Sequence, residues 1–125
     1  MAVVAILALD GVVGFELTLP GQVFGTANMV TAAPTYEIRV VSNGPSVRTS
    51  SAFGSLRLEA PWDLDSLEEA DTVLIPAQEE FWIPPPDPVL EALCVASARD
   101  LTGCGKTCFR DWFVSGHDFS RAVRR

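Results

Sequence analysis

The sequence predicts a three-layer α/β sandwich built around a mostly parallel sheet. Three observations carry this reading: short apolar runs of strand length, two stretches of helix length with a proline near the start, and their order along the chain. That order is strand, helix, strand, hairpin, strand, helix.

The first run, "VVAILAL" (residues 3–9), is apolar throughout and stopped by "DG". Such a run suits a strand buried on both faces, as under helices in a parallel sheet. "ELTLPGQVFGTANMV" (16–30) sets Leu17, Val23, Phe24, Ala27 and Val30 at roughly helical spacing. This predicts a helix over about residues 17–30, with Pro20 in its first turn, where a missing N–H is no loss. "YEIRVVS" (36–42) alternates and then becomes apolar, a second strand closed by "NGP". Residues 46–67 hold short alternating runs around Ser and Gly, the pattern of an antiparallel hairpin excursion. "DTVLIPA" (71–77) is a third buried strand, and "IPPPD" a stiff linker into the short amphipathic helix "PVLEALCVASAR" (88–99), with Pro88 near its start. Residues 3–9, 36–42 and 71–77 are expected to be neighbours in one sheet.

The 125 residues, 48% hydrophobic and 20% charged, suffice for one core and are too apolar for a disordered chain. No apolar run approaches the roughly 18 residues of a membrane span. The N-terminus lacks a basic region and a small-residue cleavage site, so the expectation is a cytoplasmic protein without membrane partners. Residues 1–98 carry 13 acidic and 3 basic side chains, while 99–125 carry 3 and 6, giving −10 and +3 for the net −7. An acidic body repels the phosphate backbone and excludes a general nucleic-acid surface; the basic end reads as a solvated surface. The odd number of cysteines, Cys94, Cys104 and Cys108, all late in the chain, is not a disulfide framework.

Within "DGVVGFELTLPGQVFG" stands one carboxylate, Glu16, between two apolar stretches. Burying it ionised without a cation is costly, so it is exposed, protonated or part of a site. It follows the carboxyl end of the first strand by a few residues, and open α/β sheets place their ligand sites on that edge. Taken alone, it reads as a surface glutamate in a first helical turn, favoured by the helix dipole.

The segments "VAILALDGVVGFELTLPGQVFG", "YEIRVVSNG" and "LRLEAPWDLDSLEEADTVLIPA", in that order, resemble the N-terminal part of the ThiJ/PfpI superfamily, which is class I glutamine amidotransferase-like. The likeness is to the branch of isonitrile hydratases and the N-terminal domains of AraC-type transcription regulators. It covers about residues 2–99 and implies a flavodoxin-like sandwich, truncated at its C-terminal end, as a domain over residues 1–99 followed by an atypical basic tail over 100–125. It also implies a role for Glu16 as proton partner of a cysteine on a sharp strand-to-helix elbow, while the sheet-edge position by itself predicts a desolvated carboxyl able to donate. Backbone amides after "DTVLIPA" would help form an anion pocket, and Asp10, Gly11, Glu16, Ala77 and Gln78 are the ligand-binding candidates.

After Arg99 the resemblance stops. The family would supply a strand and a Cys-Thr-Gly elbow, whereas this chain reads "DLTGCGKTCFRDWFVSGHDFSRAVRR". No apolar strand precedes Cys104 or Cys108 and neither is followed by Thr-Gly, so the nucleophile is not carried over. Cys104, two residues before Lys106, is the candidate thiol because a cation favours the thiolate; Cys94, inside the helix, reads as a small buried hydrophobe. "DLTGCGKT" nearly matches a phosphate-binding loop, but Asp100 replaces the first glycine and no buried strand leads in. Cys104, Cys108 and His117 fall one ligand short of a structural zinc site unless Cys94 or Asp118 completes it. No metal or other cofactor is expected, and "DFSRAVRR" without further helices is not a DNA-binding domain.

Three readings follow. One is a non-catalytic small-molecule-sensing or interaction module. Another is a cysteine-dependent hydratase or hydrolase with Glu16 as proton partner and Cys104 as nucleophile. The third is a truncated or frame-shifted product without independent function. The absent elbow favours the first. A sheet cut short leaves an open strand edge, so a homo-oligomer, in the simplest case a dimer, is expected.

Overall fold

A computed structural model describes residues 1–51 and 54–99. The chain runs through β1 (Ala2–Leu7), α1 (Gly14–Val30), β2 (Tyr36–Val41), the hairpin strands β3 (Ser46–Arg48) and β4 (Arg57–Glu59), a 3₁₀ segment (Leu64–Glu69), β5 (Thr72–Leu74) and α2 (Asp87–Arg99). The sheet order is β2-β1-β5, all parallel, with Ala2 opposite Tyr36 through Leu7 opposite Val41, and Val4 opposite Thr72 through Ile6 opposite Leu74. β3 and β4 form a separate antiparallel pair. The three expected strands are therefore neighbours, in a mixed α/β fold of the flavodoxin-like kind.

The unbroken apolar run of β1 has a direct cause. Side chains alternate across a strand, and both faces of this one are covered. Ala5 and Leu7 meet Val41, with Leu67 of the 3₁₀ segment and Val89 and Leu93 of α2. Ile6 and Ala8 meet Val12, with Leu17 of α1 and Val47 and Ala60 around the hairpin. Each large aliphatic side chain buried in these layers contributes about 1.5–3 kcal/mol.

One local expectation is corrected. α1 begins at Gly14, earlier than expected, so Pro20 lies inside the helix and not in its first turn. Lacking an N–H, Pro20 leaves the carbonyl of Glu16 without its intrahelical donor. The end of α1 is stitched to β2 by Asn28, whose Oδ1 accepts from the N–H groups of Thr35 and Tyr36 at 2.8 and 2.9 Å while Nδ2 donates to Tyr36 O at 2.7 Å.

On β2, Arg39 is buried and donates to Glu37 and to Glu69 of the 3₁₀ segment, both at 2.7 Å, with its guanidinium 4.3 Å from the centre of the Trp62 ring. The hydrogen bonds to Glu37 first, then Glu69, hold this guanidinium above its ordinary pKa. Stabilisation from a raised value is fully present through neutral pH and is lost only as pH rises through that value. Among the described residues no helix is long and apolar enough to cross a membrane.

Candidate functional site

The carboxyl edge of the sheet is built by the short crossing from β1 to α1. Gly11 turns the chain at φ +86°, a left-handed conformation that side chains with a Cβ adopt at a cost. Its N–H donates to Arg48 O at 2.8 Å, and Asp10 Oδ1 accepts from Arg48 N–H at 2.8 Å, so both backbone groups of Arg48 are gripped by two adjacent residues. On the other side, Gly11 O accepts from Glu79 N–H at 2.9 Å. Val12, fully buried, bridges to Thr49 and to Gln78. The crossing thus lies between the hairpin and the segment that leaves β5.

α1 then starts without a side-chain cap and carries Glu16 in its first turn. Val13 N–H donates to Ala77 O at 2.9 Å, and Ala77 N–H donates to Glu16 Oε2 at 2.9 Å. Both backbone groups of Ala77 are therefore committed to the start of α1. Glu16 is exposed, and Oε1 makes no hydrogen bond among the described residues. Gln78 is half-buried; its Oε1 would lie 3.8 Å from a Cβ built on Gly11, and its Nε2 is sealed from solvent without an acceptor among the described residues. Leaving a buried donor unpaired costs about 1–3 kcal/mol.

The structure brings Gly11, Glu16, Ala77 and Gln78 to one edge, with Asp10 at its hairpin side. Two expectations change. Glu16 is open to solvent, so the described residues do not supply the desolvation expected from the sequence. The Ala77 amide, expected to help bind an anion, is already taken by the chain's own carboxylate. Cys104 lies outside the described residues. Cys94 is half-buried on α2, across the sheet from α1, and is disulfide-bonded, which departs from the reading of it as a simple buried hydrophobe. Among the described residues no group of three or more His, Cys, Asp or Glu could hold a metal ion.

Sequence reasoning missed Arg48, Thr49 and Glu79, which hold the crossing in place. Thr49 is buried, accepts from Leu56 N–H at 3.0 Å and packs its methyl under Gly14. The only sequence signal was the change from alternation to Ser and Thr in "VRTSS". A cleft of about 770 Å³ opens at the end of β2 between Ser42–Ser46 and Glu59–Asp65 and contains none of the five candidates.

Gly11→Ala is expected to cost about 1–2 kcal/mol. The space beside Gly11 is open enough for a methyl group, with Gln78 Oε1 the nearest atom at 3.8 Å, so the cost is conformational. Urea denaturation checks this; no change in stability would mean that the positive φ is not required.

Solved structures share this fold. An AraC family transcriptional regulator from Pseudomonas putida matches at TM-score 0.63 and 23% identity, over 78% of this chain and 51% of its own. A DJ-1 superfamily protein from Agrobacterium tumefaciens matches at TM-score 0.56 and 16% identity, over 80% of this chain and 50% of its own. No family model matches the chain, and no curated protein does. The chain spans about half the length of the two solved structures. At these identities the likeness is one of fold, a mixed α/β fold around a parallel sheet.

Proposed function

We propose that the chain is a non-catalytic small-molecule-sensing or interaction module, related to the N-terminal domains of AraC-type regulators, with its ligand at the Glu16 edge. The observation that carries this is the Glu16 carboxylate, held by Ala77 N–H at 2.9 Å with its second oxygen unengaged among the described residues. The Gln78 amide nitrogen, at the same sheet edge, lacks an acceptor among the described residues. Asp10, Glu16 and Glu79 line this edge, so a neutral or cationic molecule that donates hydrogen bonds is favoured over an anion. The AraC family neighbour supports the same reading.

Hydratase, amidase or deglycase chemistry would need a nucleophile held within about 3 Å of the attacked carbon. Among the described residues the one cysteine is Cys94, disulfide-bonded on α2. We further propose that the module is cytoplasmic and a homo-oligomer; light scattering of the full chain should report a mass above that of the monomer, and a monomer at high concentration would remove the oligomer from this reading.

Iodoacetamide titration separates sensing from catalysis. The sensing reading expects no cysteine to alkylate rapidly below neutral pH. A single thiol at Cys104 reacting well below neutral pH, with turnover lost in Cys104→Ser, would instead establish the cysteine-dependent hydratase or hydrolase.

A further inference from the structure

The cleft at the end of β2, of about 770 Å³, shares no residue with the Glu16 edge. Its walls are joined through the backbone. Ser42 N–H donates to Trp62 O at 3.0 Å, Val41 bridges to Trp62, and Ala60 N–H donates to Pro45 O at 3.1 Å. The Arg39 guanidinium, 4.3 Å from the ring centre, braces Trp62, which is still 37% exposed. The cleft thus combines a fixed aromatic surface with a volume in the roughly 300–1,000 Å³ range of small-molecule sites.

Ser42 supplies an independent observation. It lines the cleft at only 6% exposure, and its hydroxyl makes no hydrogen bond among the described residues. A hydroxyl so deep is ordinarily paired, so an unpaired one in a cleft wall marks a place for a ligand. The chemistry of the wall narrows the class. Its charged groups are all carboxylates, and those of Glu59 and Asp65 have no partner among the described residues, which disfavours an anion. Asn43 and Ser46 add side chains that donate as well as accept. An ammonium group only donates, and the Trp62 ring already carries the chain's own cation. Hydroxyl groups do both, and the C–H face of a sugar ring suits the aromatic surface that Arg39 leaves open.

We propose that this cleft binds a neutral sugar, its ring against Trp62 and its hydroxyls on Ser42, Glu59 and Asp65. The site does not depend on the Glu16 reading.

The test is titration of the isotopically labelled full chain with glucose, galactose, mannose and ribose in turn, following backbone amides and the Trp62 indole N–H. The expected result is saturable shifts at Ser42–Ser46 and Trp62 with at least one of these sugars, unchanged in Glu16→Gln. Trp62→Ala should abolish the binding. That variant also strips Arg39 of its ring, so Asp65→Asn, at an exposed position, carries the test should Trp62→Ala not fold. Asp65→Asn should weaken the binding about tenfold. The absence of saturable shifts with every sugar, tighter binding of ethylammonium titrated in parallel, or equal affinity in wild type and Asp65→Asn would overturn the proposal.

Discussion

Leu7→Ala is expected to lower stability by about 3–4 kcal/mol, a large part of the roughly 5–15 kcal/mol that holds a domain folded. Leu7 is 1% exposed and shares its core with Val41, Leu67, Val89 and Leu93. It joins the central strand to the 3₁₀ segment and to α2, so the truncation opens a cavity where three elements meet. In urea the midpoint should fall with little change in slope, since the surface exposed on unfolding is nearly the same. Leu19→Ala on α1, 43% exposed, supplies the control, with an expected change within about 0.5 kcal/mol. A Leu7→Ala loss no larger than that control would mean that β1 does not organise the core.

Glu16→Gln is expected to weaken ligand binding by about 10–100-fold, corresponding to the roughly 1.5–3 kcal/mol of a hydrogen bond to a charged group. Stability should change by less than about 0.5 kcal/mol. The two effects separate because the glutamine oxygen can still accept from Ala77 N–H, while the negative charge facing solvent is gone. Glu16→Ala goes further and leaves that N–H without its partner; Ala77 is exposed, so water replaces the carboxylate and the fold is retained. Equal ligand affinity in wild type and Glu16→Gln would detach Glu16 from the site.

What was legible in the sequence was whatever a local pattern encodes. The unbroken run "VAILAL" announced β1 because both faces of that strand are buried, and Glu16 could be set at the carboxyl edge of the parallel strands, whereas the part played there by the residues after "DTVLIPA" came only from the family resemblance. The crossing at Gly11 was not legible. Its neighbours are the isolated bridges of Val12 with Thr49 and Gln78, long-range pairings without a periodic signature. Pro20 misled because helix-start statistics favour proline in the first turn, whereas the crossing from β1 lets α1 begin at Gly14. Nor could the sequence show that the chain's own carboxylate occupies the Ala77 amide, since that depends on the register between the first turn of α1 and the exit from β5.

The central claim, a ligand site built on Glu16, is tested most directly by titrating the isotopically labelled full chain with a panel of small amides and amines while following backbone amide resonances. The account predicts shifts concentrated at Gly11, Val13, Ala77 and Gln78, strongly reduced in Glu16→Gln. Shifts confined to Ser42–Ser46 and Glu59–Asp65, unaffected by Glu16→Gln, would place the ligand in the cleft at the end of β2 and contradict it.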